Sequence, residues 1–420
     1  MLNKVLTSWL NNLLMGSLLS VGLMSCSDKP TVLTKQVKTS ANMAKTQANS
    51  VNEQDFKSQI YALEKQRILS KATTYLTTPP KTVTADLALH SEGGRHDFFS
   101  QGDYWWPDPQ DPEGPFVRRD GESNPANFVA HRLSLMAFSD ITATLTSAYL
   151  LTLDPQYANA ALKHLQAWFV DSATRMNPSL LYGQAITGRH SGRSIGIIDT
   201  IHLVEVAKSI EVLANNEQIP VESLQPIKAW FSTYLDWLNS HEYGLVEKHH
   251  PNNHGVTWSM QASAFAHLVD DQATLEWVRQ QFKTVYIAQM MNQQGGFDAE
   301  LARTKPYGYS LFVIDAAAGV AQLASSKNDD LWQFSLPDGR GMQLGMAFIA
   351  PYIADKSSWP YAQDIQYWDE WPVRHMSLFF AALAFQDAEY FKLFTQFEAD
   401  PSTYEVIRNL PIRHPLIWLD

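Results

Sequence analysis

One cysteine, Cys26, in 420 residues rules out an intramolecular disulfide and any multi-cysteine zinc site. Basic residues are also short: 32 Lys and Arg face 43 Asp and Glu, a formal net charge of -11. Phosphate binding needs a basic face, so this balance argues against nucleic acid as a partner. A polyanionic sugar is not excluded, because a few Arg and Lys in a cleft can hold it while the remaining surface stays acidic. No long stretch alternates with period two, which argues against a sheet-based fold. What the chain does have is a hydrophobic fraction of 45%, enough for a sizeable core.

The start of the chain reads as an address. Lys4 precedes an apolar stretch from Leu13 to Gly22, and Leu23-Met24-Ser25-Cys26 resembles a lipobox. Asn11-Asn12 interrupts the apolar run, which disfavours a membrane-spanning anchor. The expected organisation is a lipoprotein signal peptide over 1–25, a flexible tether over 26–52, and one domain over 53–420. Cys26 is the expected lipidation site, and Ser27 after it points to the outer membrane by similarity to lipoprotein sorting. The expected localisation is therefore an exported outer-membrane lipoprotein facing the periplasm or the cell surface. The tether is rich in Thr, Lys, Ser, Ala, Gln and Asn and cannot bury a core.

Beyond the tether the patterned segments are helical. Asp154-Pro155 supplies an N-cap and a proline at the first helical position, and Ala158, Leu162, Leu165 and Phe169 follow on one face. Trp230, Tyr234, Trp237 and Leu238 repeat the spacing. Further helices are expected near 55–76, 127–151, 198–214, 254–268, 273–290, 309–324 and 376–385. Many helices joined by loops rich in Gly, Pro, Asp and aromatics indicate a mostly α fold of paired antiparallel helices.

Two segments carry chemistry. Pro251-Asn252-Asn253-His254-Gly255 offers an amide and an imidazole; Glu300-Leu301-Ala302-Arg303-Thr304-Lys305-Pro306-Tyr307-Gly308-Tyr309 offers a guanidinium and two phenols. A uronic acid within a polysaccharide has a weakly acidic C5 hydrogen beside its carboxylate and a glycosidic oxygen on C4. Breaking the C4 bond by β-elimination requires that the carboxylate be neutralised, the C5 proton removed and O4 protonated. Asn253 and His254 can address the carboxylate or the proton beside it, the imidazole either as a charged clamp or as a base. A phenol titrates near ~10, so Tyr309 needs a cation such as Arg303 to become a base near neutrality. One phenol can then carry the proton from C5 to O4 where both lie on the same side of the ring, as in β-D-mannuronate and β-D-glucuronate. Tyr307 competes for the role, since Tyr-Gly-Tyr places both rings near one cleft.

These runs, together with Trp258, resemble the alginate lyase superfamily of polysaccharide lyases, and the resemblance extends from about Leu87 to Trp371. It implies an (α/α) toroid with Asn253, His254, Arg303 and Tyr309 as the catalytic set. Gly102-Asp103-Tyr104-Trp105-Trp106-Pro107-Asp108-Pro109 and the following Arg119-Asp120-Gly121-Glu122-Ser123-Asn124-Pro125 are similar to the branch that includes glucuronan lyases. The Tyr-Gly-Tyr departs from the Tyr-His-Asn-Tyr of periplasmic mannuronate lyases, which leaves Tyr307 and Tyr309 both open.

Tyr104, Trp105 and Trp106 read either as a platform for pyranose faces or as rings packed under their loop. Arg189, His190 and Arg193 in a polar loop, Arg374 and His375 after Trp371-Pro372, and Trp258 are the other expected substrate contacts. His249, His250 and His254 lack a metal-ligand motif, so neither metal nor other cofactor is expected. The resulting expectation is a lyase acting on poly-mannuronate, with glucuronan as the alternative. A surface glycan-binding lipoprotein is the rival of another class. A glycoside hydrolase would need two carboxylates flanking the bond, and Asp298 and Glu300 stand too close in sequence to do so.

Overall fold

The computed structural model describes residues 53–215 and 219–419. The expected signal peptide, Cys26 and the tether lie outside the described residues. Fourteen α-helices dominate the described part: α1 Glu53–Tyr75, α2 Ala130–Thr152, α3 Pro155–Phe169, α4 Leu203–Ala214, α5 Val221–Ser240, α6 Glu242–Lys248 and α7 Asn253–Val269, then α8 Gln272–Gln281, α9 Asp298–Leu301, α10 Pro306–Ala324, α11 Met342–Ala354, α12 Met376–Phe385, α13 Ala388–Thr395 and α14 Tyr404–Arg408. None of the described helices is long and apolar enough to cross a membrane.

Two concentric layers account for the packing. An inner series runs α2, α4, α7, α10, α12, each against the next. Outside it, α1 and α3 cover α2, α5 and α8 cover α7, α11 covers α10, and α13 covers α12. Composition follows position. The inner α7 and α10 bury almost every side chain, as in Val256 to Ala266 and Ser310 to Ala321, whereas α3 buries one stripe through Ala158, Ala161, Leu165 and Trp168. Small residues such as Ala262, Ala264, Ala316, Ala317 and Ala318 allow these inner helices to pack closely. This is the α/α toroid that the resemblance implies.

The C-terminal segment bridges the inner series between its two ends. A short 3₁₀ turn, Pro415–Trp418, packs on α1, α2 and α4, and the Trp418 ring lies 5.2 Å from Phe380 of α12. Its anchor is polar. Buried Glu205 of α4 accepts hydrogen bonds from the backbone N–H of Arg413 and of His414 (2.7 Å each) and from His414 Nδ1 (2.8 Å).

Small deviations from the expected helices have local causes. α8 gives way to a π-helical stretch at Phe282–Met290 rather than continuing as one α-helix. A 3₁₀ turn, Ser194–Thr200, precedes α4. α11 was not anticipated because Gly345 and Pro351 lie inside it and obscure its period. Four short strands, β1 Phe99–Gln101, β2 Trp105–Trp106, β3 Val117–Arg118 and β4 Tyr182–Ala185, form two pairs: β1 parallel to β4 and β2 antiparallel to β3. The second pair folds the aromatic loop into a hairpin that stands against one end of the helices.

Candidate active site

The N-terminal turns of α7 and α10 meet at that same end. Asn252 caps α7, its side chain accepting the N–H of His254 at 3.1 Å, so Asn253 and His254 occupy the first turn. Gly255 follows because the turn abuts the preceding backbone: a Cβ there would lie 2.3 Å from the carbonyl oxygen of His250. Asn253 is buried, and its backbone N–H and side-chain Nδ2 each donate to the Glu300 carboxylate at 2.7 Å. Burial pushes Glu300 above its ordinary range, against the pull of those donors. His254 Nδ1 donates to Glu247 at 2.5 Å, which fixes the ring and leaves Nε2 without a protein partner among the described residues.

Pro306 starts α10 and Asp364 caps it, accepting the N–H groups of Tyr307 (2.8 Å) and Gly308 (2.9 Å). Burial raises the Asp364 carboxyl to about 6. Two residues along a helix is roughly 200° of rotation, so Tyr307 and Tyr309 face opposite ways. Tyr307 is fully buried, donates to the Tyr352 carbonyl at 3.0 Å and packs against Trp359 and Trp368. Tyr309 faces the cavity. The expectation that both rings share one cleft is corrected by this helical geometry.

Around the Tyr309 hydroxyl three elements converge. Arg303 Nη2 donates to it at 2.9 Å, and the guanidinium lies 4.1 Å from the ring centroid. Asp120, from the loop after β3, holds Arg303 through Nη2 (2.8 Å) and Nε (3.2 Å). Tyr104, beside β2, places its hydroxyl 2.9 Å from that of Tyr309. Tyr104 in turn bonds Glu405 of α14 at 3.2 Å and accepts from Arg408 at 3.3 Å, while Lys305 pairs with Glu405. Burial lifts Tyr309 well above the ordinary phenol value and the neighbouring Tyr104 adds to it; Arg303 and Lys305 pull the other way. The cation acts in the expected direction, but burial outweighs it.

Asn253, His254, Arg303 and Tyr309 line one cavity of about 340 Å³, with Tyr104, Trp105 and Arg193 on its other walls. The remaining expected contacts lie elsewhere. Trp258 is sealed against Trp277 under Lys248. His375 is buried on Asp315 at 2.7 Å, and Arg374 reaches back to Glu64 of α1 at 2.7 Å. All three are core or interlayer groups: Trp258 is turned inward by α7, and Arg374 and His375 are drawn in by Glu64 and Asp315 from the segment before α12. Trp106 is tied to the Glu122 carbonyl at 2.9 Å and covered by Arg119. Arg189 and His190 are exposed and line a neighbouring surface groove. Asp298 bonds Asn292, so neither it nor Glu300 flanks a sugar bond across the cavity.

Sequence reasoning missed Asp120, Lys305, Glu405 and Arg408 as site residues. Asp120 and Lys305 sit inside the quoted motifs, whereas nothing local marks α14, about a hundred positions downstream.

A ring of paired helices whose inner N-termini present an amide, an imidazole and a cation-backed phenol to one polar cavity marks the class: an α/α-toroid polysaccharide lyase. Comparison with known proteins agrees. The chain matches the alginate lyase family over residues 82–359 and belongs to it. It is similar to a crystal structure of an alginate lyase from Bacteroides ovatus, with a TM-score of 0.74 and 29% identity, covering 89% of this chain and 97% of that one. It shares its fold with alginate lyase A1-III complexed with a tetrasaccharide, at a TM-score of 0.54 and 15% identity over 83% of this chain and 93% of that one. No curated protein sequence matches it.

Burial pushes Glu405 up, yet Arg408 and Lys305 overcome it and hold its carboxyl at about 2, below the ordinary 4.5. A depressed carboxylate stabilises the fold above its unfolded value, and that contribution is lost as pH falls through the folded one. Urea stability is therefore expected to decline from pH ~4.5 toward ~2, and more gently in Glu405→Gln. An identical pH dependence in the variant would show that this ion pair contributes nothing.

Proposed function

We propose that this chain cleaves the β-1,4-linked mannuronate of alginate by syn β-elimination, with Tyr309 as both base and acid. Family membership supports alginate as substrate class. The observation that carries the mechanism is the convergence of Arg303 and Tyr104 on the Tyr309 hydroxyl at 2.9 Å each, in the cavity that Asn253 and His254 also line.

In this reading the substrate carboxylate lies at the first turn of α7. There the Nε2–H of a doubly protonated His254 and the second Nδ2 hydrogen of Asn253 meet it, in a region already favourable to anions. Their hydrogen bonds strengthen as charge moves from C5 onto the carboxylate oxygens, which lowers the barrier rather than merely binding the ground state. Glu247 and Glu300 act through these two groups, pairing with the imidazolium at Nδ1 and fixing the amide orientation. The Tyr309 oxygen takes the C5 proton as phenolate, paired with Arg303, and returns it to O4 as the C4–O bond breaks. Atoms balance without water: one new reducing end and one C4–C5 double bond form. Glucuronate presents C5–H and O4 on the same side too, so glucuronan satisfies the same geometry.

Tyr309→Phe removes the proton carrier and is expected to lower kcat by ~10²–10⁴-fold on poly-mannuronate, read from the ultraviolet absorbance of the unsaturated product. Guluronate blocks, whose C5–H and O4 are opposed, should resist the wild-type enzyme. Preferential cleavage of poly-guluronate would be incompatible with a single-tyrosine site.

Because burial raises Tyr309, the phenolate becomes more abundant with rising pH. kcat/KM should climb through the alkaline range, and Arg303→Gln should move that ascending limb to still higher pH. An unshifted limb in the variant would remove Arg303 from the ionisation of Tyr309.

The reading of the chain start as an outer-membrane lipoprotein rests on Leu23-Met24-Ser25-Cys26. Cys26→Ser should transfer the protein from the membrane to the soluble fraction of bacterial lysates. Retention on the membrane would mean that the anchor is not a lipid on Cys26.

A further inference from the structure

Among the cations that line the cavity, one side chain stands apart. Arg303 and Arg118 share Asp120, at 2.8 and 2.6 Å. Arg408 is paired with Asp103 and Glu405, at 2.8 and 2.9 Å. His254 has Glu247. Burial, then the neighbouring His254, hold His250 below its ordinary value, so it is neutral at neutral pH. Arg193 is the cavity-lining cation with no carboxylate partner among the described residues. Its Nε donates to the Gln184 carbonyl at 2.8 Å and its Nη2 to the Gln184 side-chain oxygen at 3.3 Å. The carboxylates in its surroundings are engaged elsewhere: Asp199 with Arg132, Ser100 and Gln184, Asp103 with Arg132 and Arg408, Glu247 with His254.

The site that holds Arg193 is built rather than incidental. Gln184 is a non-glycine residue with φ of 48°, a conformation that costs energy unless surrounding contacts enforce it. Here Ser100 binds its N–H at 2.8 Å, and its Nε2 donates to Asp199 at 3.1 Å, which leaves Oε1 for Arg193. On the opposite side Gly102 makes room: a Cβ there would lie 2.9 Å from Arg193 Nη2. The guanidinium also stands 5.8 Å from the centroid of the Trp105 ring. Two of its five N–H donors are used, and the free ones include a pair on Nη1 and Nη2 with the fork spacing of a carboxylate. Burial without a facing anion lowers Arg193 to about 10, still charged at neutral pH.

We infer that Arg193 anchors the carboxylate of a second uronate, the sugar next to the one being cleaved, so that the enzyme reads two consecutive charged rings. This rests on the polyuronate reading above. The reacting carboxylate is met from the α7 side, and Arg193 comes from the β2 and β4 side of the cavity. In a β-1,4 chain with equatorial links successive rings turn over, so adjacent carboxylates address opposite walls. A polymer in which uronates alternate with neutral sugars leaves either the elimination site or Arg193 without its anion.

The test uses calorimetry on the Tyr309→Phe protein, whose lost hydroxyl slows turnover while a mannuronate trisaccharide is titrated. Adding Arg193→Gln should weaken binding by ~10-fold or more, and Arg193→Lys should recover part of it, because a point charge replaces a fork. Affinity for the carboxyl-reduced trisaccharide should be the same with and without Arg193→Gln, a result that a merely structural role would not give. A change of less than about twofold for the charged sugar, or an equal loss for the reduced one, would overturn the inference. Wild-type product absorbance is read separately. Lyase activity without dependence on Arg193 sinks the inference alone, and Arg193-dependent binding without any double-bond formation sinks the elimination mechanism alone.

Discussion

Arg132 of α2 is fully buried, and its guanidinium joins Asp103 of the aromatic loop (2.7 Å) to Asp199 before α4 (2.8 Å). Asp103 also binds Arg408 of α14, which reaches Glu405, which pairs with Lys305 at the start of α10. Ions so placed are costly to desolvate, and their mutual attraction offsets that cost only when the geometry satisfies nearly every donor and acceptor. Segments more than three hundred positions apart in the sequence are thus held in one register. Without this web the loop that carries Tyr104 would have no fixed seat above Tyr309.

The web explains why the site sits at the helix ends rather than between the helix flanks. Inner helices of the ring bury nearly all of their side chains against one another. Their N-terminal turns carry unsatisfied N–H groups that need acceptors, and Glu300, Asp364 and the Asn252 side chain supply them. Two of these acceptors double as positioning groups. Glu300 holds Asn253, and Asp364 fixes the turn from which Tyr309 projects. The polarity that completes the helices is the polarity that orders the site.

Much of this was legible in the sequence, and the limits have physical causes. Outer helices such as α3 announced themselves through a one-sided apolar stripe and the Asp154-Pro155 start, since a half-buried helix must segregate its residues. Asn252-Asn253-His254-Gly255 was readable because it combines a cap, two polar groups and a glycine forced by close backbone approach. Tyr307 against Tyr309 was not resolved until the helix was seen to begin at Pro306, which sets their angular separation. Trp258, Arg374 and His375 misled because residue type shows what a side chain can bind and not which way the backbone points it. Asp120, Glu405 and Arg408 reach the site through contacts spanning much of the chain, and no local pattern encodes such contacts.

The position of Tyr309 involves a compromise that bears on catalysis. Enclosing a phenol makes its hydrogen bonds stronger but its ionisation harder, because the surroundings solvate the phenolate poorly. Arg303 counters this, yet it is itself bound to Asp120, which neutralises much of its field and keeps it in place. The result is a base held at high pKa by its enclosure, and a strong base is also a poor proton donor. For the single group of the proposed mechanism, which first takes a proton from carbon and then gives it to O4, neither extreme is useful. In that mechanism the Asp120–Arg303 pair sets the balance: the guanidinium assists proton removal, and because its charge is partly compensated, it does not hold the phenolate so firmly that the proton cannot be taken up and passed on.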